Sequence, residues 1–407
     1  MPTREQIFLR RRIAVGSGLL AFLAVAFYLP ITLLAPIGEL TPTALPYSVE
    51  PQAAPAVVYP PYGASGFGAV GYPGVLGSAG TAAPLPIASI SKVITALVVL
   101  ETHPIAEATD GPALTFDEQD LQYFLDQIPV EGSRADVTVG ETLSERVVIE
   151  KMLVVSSNNH ALSLARWAFG SVEGFTAAAS EWLAAHGLTG TTIVEPTGLS
   201  PSNTSTVPDL IEVGRLALAD PVLAQIVATK AIELPEAGPV ANTNGLLGIG
   251  GVDGIKTGTT DEAGSCLLFS ADRQIGSQTV TIVGVLLGAP NHEAVEIGVQ
   301  QILDQAYSGF RDIEVIAEGT ELATYATPWG DSAVAVASKS VTALVWADQA
   351  VTVAVDAASI HLVDDGTSAG ELDVAVGART FSVSLVIRGT IADPGPWWRL
   401  THPVELF

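Results

Sequence analysis

The hydrophobic pattern changes rhythm several times along the chain. Ile13 to Ile37 carries no charged side chain, a length that can cross a bilayer as a helix. Pro36, Pro42, Pro46, Pro51, Pro55, Pro60 and Pro61 then punctuate a weakly charged stretch, which predicts an extended tether. Val57-Val58-Tyr59 and Phe67 to Tyr72 are candidate first strands between glycine turns. Ile90, Val93, Ile94, Leu97, Val98 and Leu100 make a helix apolar nearly all round, and such a helix belongs in a core. Apolar residues at turn spacing predict helices over Glu118 to Asp126, Leu143 to Val155, Asn159 to Phe169, Glu173 to His186 and Pro208 to Leu218. Gly254 to Ala271 and Gln278 to Leu287 switch to extended runs rich in Thr and Val, and Glu293 to Tyr307 returns to helix. Beyond Gly309 the rhythm is alternating, with strands expected at Ala333 to Ala337, Val341 to Ala347, Val351 to Asp356, Glu371 to Val376 and Thr380 to Arg388.

This pattern predicts an α+β protein: a sheet flanked by helices plus a helical lobe, an N-terminal membrane helix, and a small C-terminal all-β domain. The expected boundaries are a cytoplasmic end over 1–12, a span over 13–37, a linker over 38–56, a central domain over 57–310 and the β domain over 311–407. Arg4, Arg10, Arg11 and Arg12 precede the apolar run, which places the N-terminus in the cytoplasm and the rest outside. A cleaved signal peptide would have a shorter apolar region ending at a small-residue site, so an uncleaved anchor is the preferred expectation. The formal charge of −25 repels nucleic acid and fits a solvated acidic surface. The single cysteine, Cys266, lies in an apolar run and excludes an internal disulfide. The six histidines show no metal-ligand spacing, so neither a metal nor a cofactor is expected.

Three short strings carry chemistry: Ser89-Ile90-Ser91-Lys92, Ser156-Ser157-Asn158 and Lys256-Thr257-Gly258-Thr259. In a helix, Ser89 and Lys92 share a face, and the lysine can take the serine proton if burial and a second cation such as Lys256 lower its pKa. Ser156 and Asn158 follow an apolar helix, where the hydroxyl can relay a proton to a leaving amine and the amide can hold an acyl-side peptide group. Lys256 and Thr257 can bind a terminal carboxylate from a strand. Gly258 marks close approach by another backbone, for which a peptide substrate is a candidate. The amides of Ser89 and Thr259 are candidates for an oxyanion hole. Each string alone is weak, and in order the set is that of serine β-lactamases and penicillin-binding proteins.

On these motifs the chain resembles the low-molecular-mass penicillin-binding proteins, the serine D-alanyl-D-alanine carboxypeptidases. The flanks carry the likeness too, in Ile87-Ala88-Ser89-Ile90-Ser91-Lys92-Val93-Ile94-Thr95-Ala96 and in Val252-Asp253-Gly254-Ile255-Lys256-Thr257-Gly258-Thr259-Thr260-Asp261-Glu262-Ala263-Gly264. The resemblance covers about Pro55 to Asp312 and implies a DD-peptidase-like domain with an antiparallel sheet. It implies Ser89 as acyl-enzyme nucleophile, Lys92 as base, Ser156 and Asn158 as the second motif, and Lys256 as carboxylate anchor. The implied substrate is the peptidoglycan pentapeptide stem, with β-lactam antibiotics as covalent inhibitors. The chain departs from the family pattern at Ser91 for the usual Thr, Ser157 for Gly or Ala, and Asn159-His160 for Asp-Ala. In Glu195-Pro196-Thr197-Gly198-Leu199 the residue before Gly is Thr, where many relatives carry His. No Glu-x-x-Leu-Asn follows the second motif, which argues against the β-lactamase class that uses a Glu-activated water. A non-hydrolytic wall-binding homologue is the alternative of a different class.

Overall fold

The computed structural model describes residues 3–50, 53–106, 108–347, 349–377 and 379–406. The described residues fall into two compact units, one within Gln52–Arg311 and Leu344–Asp348, the other within Met1–Pro51, Asp312–Ala343 and Gln349–Phe407.

The first unit is built on a five-stranded antiparallel sheet whose spatial order is Val252–Thr260, Gly264–Ile275, Gln278–Ala289, Ala64–Ala69 and Gly77–Gly80. Its central strands are apolar on both sides because both faces are covered. Leu268, Val283 and Val285 join one core with residues of the helices Ser91–Thr102 and Val207–Ala219. Phe67, Leu267, Phe269, Ile282 and Leu286 face a second core with Val295, Val299 and Ile302 of the helix His292–Ser308. The helices Glu118–Asp126, Glu145–Val154, Asn158–Phe169 and Val172–Ala185 form the helical lobe around the buried Ser91–Thr102. Side-chain caps set their starts: Asp117 closes a capping box on the first, and Ser144, Ser157 and Ser171 cap the others.

Two expectations fail here. Val57-Val58-Tyr59 lies outside any strand, and the first strand of this sheet is Ala64–Ala69 rather than Phe67 to Tyr72. Its glycines, Gly66 and Gly68, allow tight packing against Val207 and Ile211, a signal that β propensity misses.

The second unit contains a six-stranded antiparallel sheet in the order Thr43–Ala44, Glu321–Ala326, Ser332–Ala337, Arg379–Arg388, Ser368–Val376 and Val351–Ala357. The Pro-rich stretch is therefore pinned in part: Thr43 and Ala44 pair with Thr324 and Ala323, and Leu40 bridges Ile360. The apolar helix runs over Arg4–Leu33 through Pro30 and is exposed over most of its length, with Thr32 buried near its end. Near its end Tyr28 donates to the Leu400 carbonyl (2.6 Å) and Arg399 donates to the Ala35 carbonyl (2.6 Å).

Candidate active site

Ser89 sits in the 3₁₀ turn Ala88–Ile90, which runs directly into the helix Ser91–Thr102. Ala88 has a φ of 45°, a left-handed conformation that costs a non-glycine residue about 1–3 kcal/mol and recurs at functional turns. Lys92 is fully buried, its Nζ 2.8 Å from Ser89 Oγ and donating to the Thr197 carbonyl at 2.7 Å. Burial, and then the charge of Lys256, hold the Lys92 ammonium well below its ordinary range, against an opposing pull from Glu195. Burial and a neighbouring cation both favour the neutral form of a lysine amine.

The second motif occupies the break between the helices Glu145–Val154 and Asn158–Phe169. Ser156 makes this turn with a φ of 62°. Ser157 caps the second helix, donates to Asn159 Oδ1 at 2.7 Å and stands 2.8 Å from His160 Nδ1. Asn159 in turn grips Ala135, accepting from its N–H (3.2 Å) and donating to its carbonyl (2.9 Å). The departures at 157, 159 and 160 thus form one buried network that joins the second motif to the 133–135 loop. Burial holds His160 down to about 3, so it remains a neutral packing group against the edge of Phe116. Asn158 donates to Gln127 Oε1 at 2.9 Å, leaving its own Oδ1 without a partner.

Lys256, Thr257, Gly258 and Thr259 lie on Val252–Thr260, an edge strand of the sheet whose inner side pairs Gly258 with Cys266. An edge strand offers unpaired backbone groups to an incoming peptide. Lys256 is buried, donates to the Thr257 carbonyl at 3.0 Å and reaches the Thr243 hydroxyl at 3.3 Å. Burial lowers it to about 7. Cys266 is a buried thiol raised to about 11 by desolvation. The backbone that approaches Gly258 belongs to the protein: a Cβ there would lie 2.9 Å from the Ile87 carbonyl oxygen and 3.0 Å from the Ser89 amide nitrogen. The glycine therefore seats the edge strand against the turn that carries Ser89, a requirement that the strand pattern alone does not reveal.

Two cavities meet at Ser89 and Thr259. One, of about 400 Å³, includes Ser156, Thr243, Thr257, Gly258 and His292 in its lining. The other, of about 630 Å³, includes Asn158, Leu199, Glu131 and Glu262. Lys92 and Lys256 lie buried beneath, so the eight residues picked from the motifs converge on one place. Sequence reasoning missed Thr243, Gln127, His292 and the Thr197 carbonyl, which contribute as lone side chains or as backbone and have no spacing signature.

The family model of D-alanyl-D-alanine carboxypeptidase, peptidase S11, matches residues 74–291, more than half of the chain. D-alanyl-D-alanine carboxypeptidase DacA of Haemophilus influenzae is 28% identical over 184 residues, 44% of this chain and 46% of that protein. D-alanyl-D-alanine endopeptidase of Escherichia coli is 32% identical over 192 residues, 45% of this chain and 58% of that protein. The matched part thus spans about half the length of these relatives. Penicillin binding protein 5 of Haemophilus influenzae shares the fold, with a TM-score of 0.58 and 21% identity over 83% of this chain and all of that one. By the span of the family match, the chain belongs to the D-alanyl-D-alanine carboxypeptidases of peptidase family S11.

Proposed function

We propose that the protein is a serine-type carboxypeptidase that removes the terminal D-alanine of peptidoglycan stem peptides through an acyl-enzyme on Ser89. The observation that carries this reading is the buried Lys92 amine 2.8 Å from Ser89 Oγ, beside a second buried cation. Neutral Lys92 takes the hydroxyl proton as Ser89 Oγ attacks the carbonyl of the penultimate D-alanine. The new oxyanion lies toward the amides of Ser89 and Thr259, a type of contact whose loss costs about a hundredfold or more. The C–N bond then breaks, and the leaving amine receives a proton through the Ser156 hydroxyl. Lys256, Thr257 and Thr243 hold the terminal carboxylate in the smaller cavity, while Asn158, on the wall of the larger one, holds the acyl-side peptide. Water hydrolyses the ester and restores Ser89. β-Lactams enter the same first step, since ring opening by Ser89 leaves an ester with no departing amine. The apolar helix Arg4–Leu33 anchors the protein as a single span with its catalytic unit outside, in keeping with the exposure of its most apolar stretch.

Similarity to an endopeptidase favours a second reading, cleavage of D-alanyl cross-links, in which only the leaving group differs. Intact-mass spectrometry of the detergent-solubilised chain with a penicillin tests the chemistry. A covalent adduct absent in Ser89→Ala is expected, and an unmodified wild-type protein would sink the proposal. Release of free D-alanine from a pentapeptide, set beside cleavage of a cross-linked dimer, separates the two readings.

A further inference from the structure

The segment Glu195–Ser200 carries a device that none of the three motifs contains. The Glu195 carboxylate accepts five hydrogen bonds. One oxygen takes the Thr197 amide and the Thr197 hydroxyl, both at 2.6 Å. The other takes the amides of Gly198 (2.7 Å) and Ser200 (3.2 Å) and the Asn203 side-chain amide (3.1 Å). A carboxylate receiving this many donors winds the chain tightly around itself, and hydrogen bonds to an ionised acceptor are about twice as strong as neutral ones. The turn it winds presents the Thr197 carbonyl to Lys92 Nζ at 2.7 Å.

The turn is also tied to the nucleophile helix. Asn203 is fully buried, donates to Ser91 Oγ at 3.0 Å and to the Glu195 carbonyl at 2.8 Å, and accepts from the amides of Val194 and Glu195. Thr95 donates to the Pro196 carbonyl at 2.8 Å. Gly198, at a φ of 86°, lies so close to the nucleophile turn that a Cβ would stand 1.9 Å from the Ala88 carbonyl oxygen. The polar groups of this segment thus converge on the residues that flank Ser89 and Lys92.

We propose that Glu195 is a positioning residue for the general base: its carboxylate holds the Thr197 carbonyl where it occupies one N–H of Lys92 and so directs the amine lone pair at Ser89 Oγ. The proposal rests on the reading of Lys92 as base. Glu195 has an electrostatic part as well. The charged groups acting on Lys92 are Lys256 from the edge strand and Glu195 from this turn, and the two act in opposite directions. The anion keeps the amine basic enough to take the serine proton and stabilises the ammonium formed by that transfer.

The test compares full-length wild type, Glu195→Gln and Glu195→Asp in detergent. The second-order rate of penicillin acylation is measured across pH, and Lys92 is titrated by ¹⁵N-lysine NMR, which five lysines keep resolvable. Glu195→Gln is expected to acylate on the order of tenfold to a hundredfold more slowly, as for a misplaced catalytic group. Its acid limb and the Lys92 midpoint should both move to lower pH, because the anion that favours the ammonium is gone. Glu195→Asp, which keeps the charge but withdraws it by one methylene, should lose part of the rate and move the limb and the Lys92 midpoint in the same direction by less. A folded Glu195→Gln with slowed acylation but an unmoved limb and Lys92 midpoint would reduce Glu195 to a structural support and overturn the proposal. So would unchanged acylation. If Glu195→Gln does not fold, a lowered Lys92 midpoint in Glu195→Asp supports the proposal and an unmoved one overturns it. The titration needs no turnover, so a protein that never forms an adduct would end the functional reading while this test still decides the role of Glu195.

Discussion

The two largest sheets among the described residues are both antiparallel, yet strands within them are buried in opposite ways. In the first unit, Gly264–Ile275 is buried for seven consecutive residues after its first, with helices on both faces. In the second unit, Val351–Ala357 alternates half-buried and exposed positions from end to end. A sheet covered on both faces can keep a lysine side chain on its edge strand out of water, as at Lys256, whereas the edge strand Val351–Ala357 holds no buried residue. The polar cluster of the first unit is thus assembled against the grain of its surroundings, and the energy for this comes from the packing behind it.

The largest expected effect removes the base while leaving the sheet intact. Lys92→Met keeps the volume of the side chain and discards the amine. Acylation by a penicillin should fall by about a hundredfold to ten-thousandfold, the range for general-base catalysis, with the fold retained by circular dichroism. Retained acylation would mean that another group takes the Ser89 proton. The next effect strikes the sheet itself. Phe269 is fully buried against Phe67, Leu286 and the helix His292–Ser308. Phe269→Ala should cost about 3–5 kcal/mol in denaturant unfolding. A loss near 1 kcal/mol would show that the site can collapse and that the sheet is less rigid than its burial implies.

These contrasts also explain what was legible in the sequence. Helices with strong periodicity are legible to within a few residues, as at Glu118–Asp126, because their apolar residues recur at turn spacing. The motif residues were legible because the chemistry demands particular side chains at particular spacings. What escaped depends on tertiary closeness. The hairpin Ala231–Leu234 with Gly238–Ala241 and the helix Pro221–Val227 are too short to show a period. Thr43–Ala44 looked like tether because its pairing partners lie almost 300 residues away. Gly258 was read as room for a substrate, whereas it makes room for Ile87 to Ser89. Thr197 acts through a carbonyl that every residue possesses.

A smaller effect concerns the buried lysine of the edge strand. The Lys256 pKa is lowered from 10.5 to about 7 by burial, so between those values the unfolded chain binds a proton that the folded chain does not. Stability from this group is therefore lost as pH falls from about 10.5 to about 7 and is level below that. Lys256→Met should remove this slope. It should be more stable than wild type by up to a few kcal/mol near pH 7, converge on wild type above pH 10.5, and lose binding of the peptide carboxylate. Parallel stability curves for the two proteins would show that the ammonium stays charged and paired in the folded state.

The smallest effect tests the other side of the comparison. Val353 is half-buried on the outermost strand of the second sheet, so its side chain has solvent on one flank and loses few contacts on truncation. Val353→Ala should cost about 1 kcal/mol or less, in the low range for a methyl-scale deletion. Penicillin acylation should not change, because all residues lining the two cavities beside Ser89 belong to the first unit. A stability loss as large as that of Phe269→Ala would mean that the exposed edge is covered in the assembled protein. An acylation loss of tenfold would show that the second sheet contributes to the site. Either result would break the division between a sheet that enforces chemistry and a sheet that serves as an ordinary solvent-facing surface.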